Sequence, residues 1–354
     1  MWLKMSNGKT LGIAILGYGG MGGFHAKLIS SMPELTLCGV YDIDPERNAV
    51  AVENGIHAYG SRDELLTDPN VQVVTVAIPN DQHLAECVVA MKAGKNVVCE
   101  KPVCLNSGEL QQMIDCSNKN GVLFTVHQNR RWDEDFLTIK KVYDDNMLGN
   151  TFNIESRVHG SRGIPGDWRN KKIHGGGMIL DWGVHLLDQA LMMIDKKLVS
   201  VYARISNVTN EEVDDGFTTV LTFEGGLTFT VEVGTSNFIN LPRWYIQGEN
   251  GSAVIQDWKL NGEIVMVSDW ENRDAVPIVT AAGLTKTMAP RTEETIKRYP
   301  LPAIETDLKD YYRNIKNVVE GKAEQIVKHD EVMAVMRLME DIFKSAETGQ
   351  IITY

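Results

Sequence analysis

No cysteine follows Cys116, and the five present (Cys38, Cys87, Cys99, Cys104, Cys116) are odd in number and include no CxxC pair. That usage suits reduced, mostly buried thiols in a cytoplasm rather than a disulfide framework. Positive charge is also scarce: 35 lysines and arginines face 47 aspartates and glutamates, a formal charge of -12. Such an acidic surface repels phosphate backbones and anionic lipid headgroups, so neither nucleic acid nor a membrane surface is an expected partner. Long apolar runs are missing as well. The most apolar early stretch, Leu11 to Phe24, is punctuated by six glycines and too short to span a bilayer. The start, MWLKMSNGKT, lacks an apolar segment followed by a small-residue cleavage site, so no export signal is expected. Neither internal repeats nor low-complexity tracts occur. What is present, 354 residues with 43% hydrophobic and 23% charged side chains, has the composition of an ordinary globular protein long enough for two domains.

From Leu11 to about Gln128, short β-branched runs (12–16, 35–42, 73–79, 96–100, 122–128) alternate with helical stretches (22–31, 45–54, 82–93, 107–118). This rhythm predicts an α/β Rossmann-type unit with a doubly wound parallel sheet over residues 1–128. After a linking helix, roughly 133–146, the pattern changes. TFNIESRVHG alternates like a half-buried strand, and the GGG run from Gly175 is expected to open a helix reaching about Ile194. Strand-like segments then follow one another with Gly225-Gly226, Asn250-Gly251 and Asn261-Gly262 as hairpin turns, which predicts an open-faced, mostly antiparallel sheet with helices over 129–354. Residues 272–302 hold four prolines and no period, and read as an irregular arm. Two helices close the chain, one from an N-cap at Thr306 to Glu320 before Gly321, the other from Glu331 to Thr348 before Gly349.

Gly17-Tyr18-Gly19-Gly20-Met21-Gly22 is a GxGxxG directly after a strand and opening a helix. Gly17 permits the tight turn, Gly19 lets backbone amides approach a pyrophosphate, and Gly22 lets the helix pack close to the sheet. Asp42 ends the second strand about 20 residues on, where a carboxylate accepts bonds from ribose hydroxyls. Because Ile43 and Asp44 follow it, a 2′-phosphate would meet negative charge, and NAD is favoured over NADP. Arg47 is read as a solvated helix residue.

The chain resembles the glucose-fructose oxidoreductase and inositol dehydrogenase (Gfo/Idh/MocA) family. Pro79-Asn80-Asp81-Gln82-His83 resembles its PNxxH turn, which implies that Pro79, Asn80 and His83 lie beside the nicotinamide half of the cofactor. Glu100-Lys101-Pro102 resembles its EKP, which implies that Glu100 and Lys101 lie at the cofactor and that the lysine faces both nicotinamide and substrate. Residues 175–188, GGGMILDWGVHLLD, resemble its GGGxxxDxGxHxxD helix. Gln128-Asn129-Arg130-Arg131 and Trp168-Arg169 are weaker matches, which put Gln128, Trp168 and Arg169 on the cofactor side. The resemblance implies sheet-to-sheet homodimers or homotetramers.

The same residues make chemical sense without the family. Oxidising a secondary alcohol by hydride transfer needs a base near neutral pKa at the hydroxyl, which His185 provides. Asp181, four residues earlier, is expected on the same helix face, paired with that imidazole. Lys101, at the carboxyl end of a parallel strand, can stabilise the developing alkoxide. Spacing leaves open whether Lys101 or His185 takes the proton. His159 is a further candidate to reach a substrate hydroxyl, beside Lys101, Asp181 and His185. Trp168, Arg169, Trp244, Tyr245 and Trp258 are candidates for a sugar-stacking wall, with core or interface packing as the ordinary alternative for each. His25 and His127 read as structural, Asp188 as a helix carboxylate satisfied by a neighbouring backbone group or arginine rather than as a substrate ligand, and no metal site is expected. The expectation is an NAD-dependent dehydrogenase acting on a ring hydroxyl of a sugar, glycoside or cyclitol. A redox-neutral NAD-dependent glycoside-cleaving enzyme and a non-catalytic NAD-binding regulator are the alternatives.

Overall fold

The computed structural model describes residues 10–354; residues 1–9, where no export signal is expected, lie outside the described residues. Five parallel strands come first, β1 (Leu11–Leu16), β2 (Leu35–Tyr41), β3 (Val73–Val76), β4 (Asn96–Cys99) and β5 (Phe124–Val126), in the order β2-β1-β3-β4-β5. Every residue of β1 and β3 is buried, as unbroken apolar runs require of strands covered on both faces. The cover is α1 (Gly20–Ser30), α2 (Pro45–Glu53), α3 (Arg62–Thr67), α4 (His83–Lys92) and α5 (Ser107–Asn120). Helix α3 is not foreseen by periodicity because six residues are too few to show one. It is fixed instead by its cap, the Ser61 side chain accepting from the Glu64 N–H, and by burial of Leu65 and Leu66. Strand order reverses between β1 and β3, which opens a crevice at the carboxyl ends of the strands.

Helix α6 (Glu134–Asp144) leads into β6 (Thr151–His159), followed by α7 (Val184–Met193) and the run β7 (Leu198–Ser206), β8 (Gly216–Phe223), β9 (Thr228–Gly234), β10 (Trp244–Gly248), β11 (Gly251–Ile255) and β12 (Gly262–Val267). The three predicted turn dipeptides fall between β8 and β9, β10 and β11, and β11 and β12. The sheet is mixed: hairpin neighbours are antiparallel, whereas β6 and β9, separated by a long excursion of chain, pair in parallel. Phe217, Leu227 and Phe229 are buried while Val220 is only half-buried, so these apolar residues do not line both faces equally.

Residues 272–302 are less irregular than their prolines imply. They contain a small hairpin, β13 (Ile278–Thr280) with β14 (Gly283–Thr285), and β15 (Ile296–Tyr299), which pairs with β12 at the sheet edge. Two last helices, α8 (Lys309–Val319) and α9 (His329–Thr348), precede β16 (Ile352–Thr353), giving the sheet order β15-β12-β11-β10-β6-β9-β8-β7-β16. Thr306 is not the cap of α8. Its hydroxyl donates to the Trp132 carbonyl at 2.9 Å and the helix starts at Lys309. Among the described residues all five cysteines are free, three of them buried.

Candidate active site

The glycine-rich turn lies at the switch in strand order. Gly17 has φ +95°, and a Cβ there would sit 2.3 Å from the Ala77 carbonyl oxygen; one on Gly22 would sit 2.0 Å from that of Gly17. Only glycine lets β1 turn so tightly into α1. Tyr18, Gly19, Gly20 and Met21 complete the turn, and Gly20 faces open space, leaving the N-terminal amides of α1 room for a pyrophosphate. Asp42 reaches this turn: its Oδ2 accepts from the Tyr18 N–H at 2.6 Å and its Oδ1 from the Asp44 N–H at 2.9 Å. The donor set and the open cradle fit a dinucleotide. Arg47 is not simply a solvated helix residue. It folds back over Gly19, with Nη1 3.8 Å from Asp42 and Nε 3.5 Å from Asp44, drawn by two carboxylates.

On the other side of the crevice, Asn80 is buried and its Nδ2 donates to the Gly175 carbonyl at 3.0 Å, tying the PNDQH turn to the GGG turn. His83, expected at the cofactor, stands behind Pro79 and that turn. It is fully buried, with ring nitrogens 3.0 and 2.9 Å from the carbonyls of Pro102 and Ile78, because burial of an imidazole demands such partners. Gln128 is buried with its Oε1 unpartnered within the protein. Trp168 carries the Arg169 guanidinium 4.5 Å above its ring.

Lys101 Nζ donates to the Asp181 carbonyl at 2.9 Å and to its Oδ1 at 3.1 Å, and Arg169 Nε lies 3.5 Å from the same oxygen. Burial alone pushes the Asp181 carboxyl up, but Lys101 and Arg169 outweigh it and hold the group below the ordinary aspartate value. The expected Asp181–His185 pair does not form. Residues Ile179–Gly183 make a single π-helical turn rather than the α-helix expected from Gly175, and two cations outcompete a neutral imidazole for the carboxylate. His185 is buried with Nδ1 unpartnered. Desolvation first, then the charges of Lys101 and Arg130, keeps its pKa well below the ordinary histidine value.

Glu100 also departs from expectation. It lies beneath the crevice, with Oε1 accepting from His25 Nε2 and His127 Nδ1, each at 2.8 Å, and Oε2 accepting from the Lys101 N–H at 3.0 Å. Since His25 donates through Nε2, its Nδ1 accepts from the Tyr312 hydroxyl at 2.8 Å, and Tyr312 is 3.1 Å from Thr75 Oγ1. His25, Glu100 and His127 have spacing that would suit a metal ion, yet both imidazoles already donate to one carboxylate oxygen. His174 pairs with Asp81, its Nδ1 3.2 Å from the carboxylate. Asp188 is held by Arg131 in a two-pronged ion pair at 2.6 and 2.8 Å.

A cavity of about 370 Å³ opens beside His185, lined by Arg130, His159, Met178, Trp182, Gly234 and Trp258 among others. His159 thus reaches a cavity, though its Nε2 lies 3.2 Å from Glu232 Oε1. Trp244 is fully buried core, its indole N–H donating to Asp135 at 2.9 Å, and Trp168 and Tyr245 do not line this cavity. Sequence reasoning missed Trp182, which falls on a variable position of the GGGxxxDxGxHxxD motif, and the placement of Arg47, which depends on where its side chain turns.

The GGG turn rests on Asp214, whose Oδ2 accepts from the Ile179 N–H at 2.8 Å and whose carboxyl is pushed up to about 7 by burial. The folded state therefore binds this proton more tightly than the unfolded chain. The resulting stabilisation is full at low pH and is lost as pH rises from 3.8 to about 7. Asp214→Asn keeps an acceptor oxygen and removes the ionisation. Its thermal midpoint should gain on wild type between pH 5 and pH 8; parallel pH curves for the two proteins would refute this.

Comparison with known proteins agrees with this geometry. A family described as an oxidoreductase family with an NAD-binding Rossmann fold matches residues 11–128, and a GFO/IDH/MocA C-terminal domain matches 136–254. A solved NAD-binding protein from Listeria innocua superposes with a TM-score of 0.94 at 46% identity, covering 98% of this chain and all of that one. A scyllo-inositol 2-dehydrogenase (NADP(+)) of Bacillus subtilis is 26% identical over 97% of this chain and 96% of its own. A myo-inositol 2-dehydrogenase of Thermotoga maritima is 28% identical over 60% of this chain and 65% of its own.

Proposed function

Because the chain belongs to the Gfo/Idh/MocA oxidoreductase family, we propose that it is a nicotinamide-dependent dehydrogenase acting on a ring secondary alcohol of a sugar, glycoside or cyclitol. The observation that carries this reading is Lys101, locked to Asp181 at the carboxyl end of β4, with a neutral His185 on the adjoining helix. In this reading residues 1–128 hold the dinucleotide and 129–354 hold the substrate. The amides of Gly17 to Gly22 take the pyrophosphate and Asp42 the ribose hydroxyls. When bound, the nicotinamide supplies the hydride acceptor. As the substrate C–H bond gives up its electron pair, its O–H proton passes to the His185 imidazole, and Lys101 Nζ donates to the developing alkoxide until the carbonyl forms. Asp181 keeps Lys101 aimed. Gln128, Trp168 and Arg169 flank the nicotinamide side. NAD is the preferred cofactor because Asp42 meets the ribose, although Arg47 stands where a 2′-phosphate would need a cation. Both relatives named for inositol oxidation support a cyclic polyol as substrate. The half-exposed outer face of the second sheet, with Phe152 and Tyr202, is the proposed contact between copies.

The test is absorbance of reduced cofactor with NAD or NADP and a panel of inositols, hexoses, uronates and glycosides. Reduced cofactor is expected with at least one of them, and NAD is expected to outperform NADP. Silence across the panel by a protein that still binds NAD would overturn the reading, and aglycone release without NADH would replace it with redox-neutral cleavage.

A further inference from the structure

The cavity beside the reacting centre does not include that centre: Lys101, Asp181 and His185 are absent from its wall, which is built instead from the ends of β6 and β9, Met178, Arg130 and two tryptophans. Trp182 bridges the two regions, following Asp181 in sequence and placing its ring 5.9 Å from that of His185. The Trp258 ring lies 5.9 Å from that of Trp182, tilted by 48°. Trp182 thus touches the reacting centre through His185 and the cavity through Trp258.

Trp258 is built to be presented. It is 52% exposed, so much of its ring is open at the cavity it lines. Its turn is rigid. The Asp257 carboxylate accepts from the Lys259 N–H at 2.9 Å and from Asn261 Nδ2 at 2.8 Å, and Leu260, held at φ +62°, packs against the core. The buried Arg243 guanidinium sits 4.7 Å from the indole centroid, and Arg130 stacks 4.2 Å over Trp182 and 5.7 Å from Trp258. These cations fix both rings before any ligand arrives. The wall itself holds no carboxylate, although the chain as a whole is strongly acidic; its polar groups are Arg130, His159 and Thr235. Flat apolar faces with a few hydrogen-bond donors suit a pyranose ring, which offers C–H faces and hydroxyl edges.

We propose that Trp258 and Trp182 form a subsite for a second sugar ring, so that the substrate is a glycoside of two linked rings rather than a free cyclitol or hexose. The inference rests on the dehydrogenase reading above, and its test separates the two. NAD-loaded wild type, Trp258→Ala and Trp258→Phe are compared on matched one-ring and two-ring pyranosides, by NADH formation and by quenching of tryptophan fluorescence. Wild type is expected to favour two-ring over one-ring pyranosides by about tenfold in kcat/KM, the upper end of what aromatic stacking supplies. Trp258→Ala should lose about tenfold more on the two-ring substrate than on the one-ring substrate, and Trp258→Phe should retain part of the preference. Equal losses on both, no preference in wild type, or a change of oligomeric mass in Trp258→Ala in place of a change in selectivity would each overturn the subsite. If no member yields NADH, the dehydrogenase reading falls, and the fluorescence titrations still decide whether two-ring ligands bind more tightly through Trp258.

Discussion

Lys101→Ala is expected to lower kcat for the confirmed substrate by about 10³-fold or more, the largest effect of any single change in this site. Removing one preorganised donor to a developing oxyanion costs on the order of 10²–10³. Here the same ammonium also neutralises Asp181, whose remaining cation, Arg169, is 3.5 Å away. Without Lys101 a buried carboxylate faces the forming alkoxide, and two like charges in a poorly solvated site oppose each other. Burial would then raise the Asp181 pKa, and because protonation removes the opposing charge, the loss relative to wild type should shrink as pH falls through that raised value. Lys101→Arg keeps the charge but replaces a compact donor that satisfies both the Asp181 carbonyl and its carboxylate with a planar fork, so it should recover only part of the loss. Steady-state kinetics across pH, with cofactor binding measured separately, checks this; a loss of less than tenfold would remove Lys101 from the chemistry.

Glu100→Ala should cost about 3 kcal/mol or more of stability, because it leaves three buried donors without an acceptor at about 1–3 kcal/mol each. His25 and His127 would lose their shared acceptor and the Lys101 N–H its partner, all in a region closed to water. Burial opposes the Glu100 charge, but His127 and then His25 outweigh it and hold the carboxyl well below its ordinary 4.5. A depressed folded-state pKa stabilises the protein above the unfolded value, and that contribution drains away as pH falls through and below 4.5. The stability gap between wild type and Glu100→Gln should accordingly narrow on acidification. Urea midpoints at pH 7 and near pH 4 measure it, and a difference under about 1 kcal/mol at neutral pH would show that the cluster is not held by charge.

The contrast between what the sequence discloses and what it hides follows the range of the forces involved. Strands β1, β3 and β4 are legible because burial on both faces writes near-continuous apolar runs, and the hairpins because Gly225-Gly226 and the two Asn-Gly pairs have few other uses. The glycine turn and Asp42 are legible because a pyrophosphate needs bare backbone at fixed spacing. Asp181 was misjudged because helical spacing says who stands beside whom only in an α-helix, and its real partner, Lys101, lies 80 residues away. The direction taken by Arg47 and the meeting of Trp182 with Trp258 likewise depend on side chains converging in space, which no local pattern encodes.

Tyr312, on α8, supplies the hydroxyl that completes the hydrogen-bonded row beneath β4, 287 residues after His25. Farther along, His329 Nε2 reaches the Phe124 carbonyl at 2.7 Å, and the Glu340 carboxylate accepts from both the Ser107 N–H and its hydroxyl. During synthesis the first sheet leaves the ribosome long before these groups exist, and early segments commonly begin folding as they emerge. His25 must therefore wait for its last partner until almost the whole chain is translated. The nucleotide-binding half is the first to be made and among the last to be completed, so a nascent chain halted before α8 would present a Rossmann sheet with its polar interior still open.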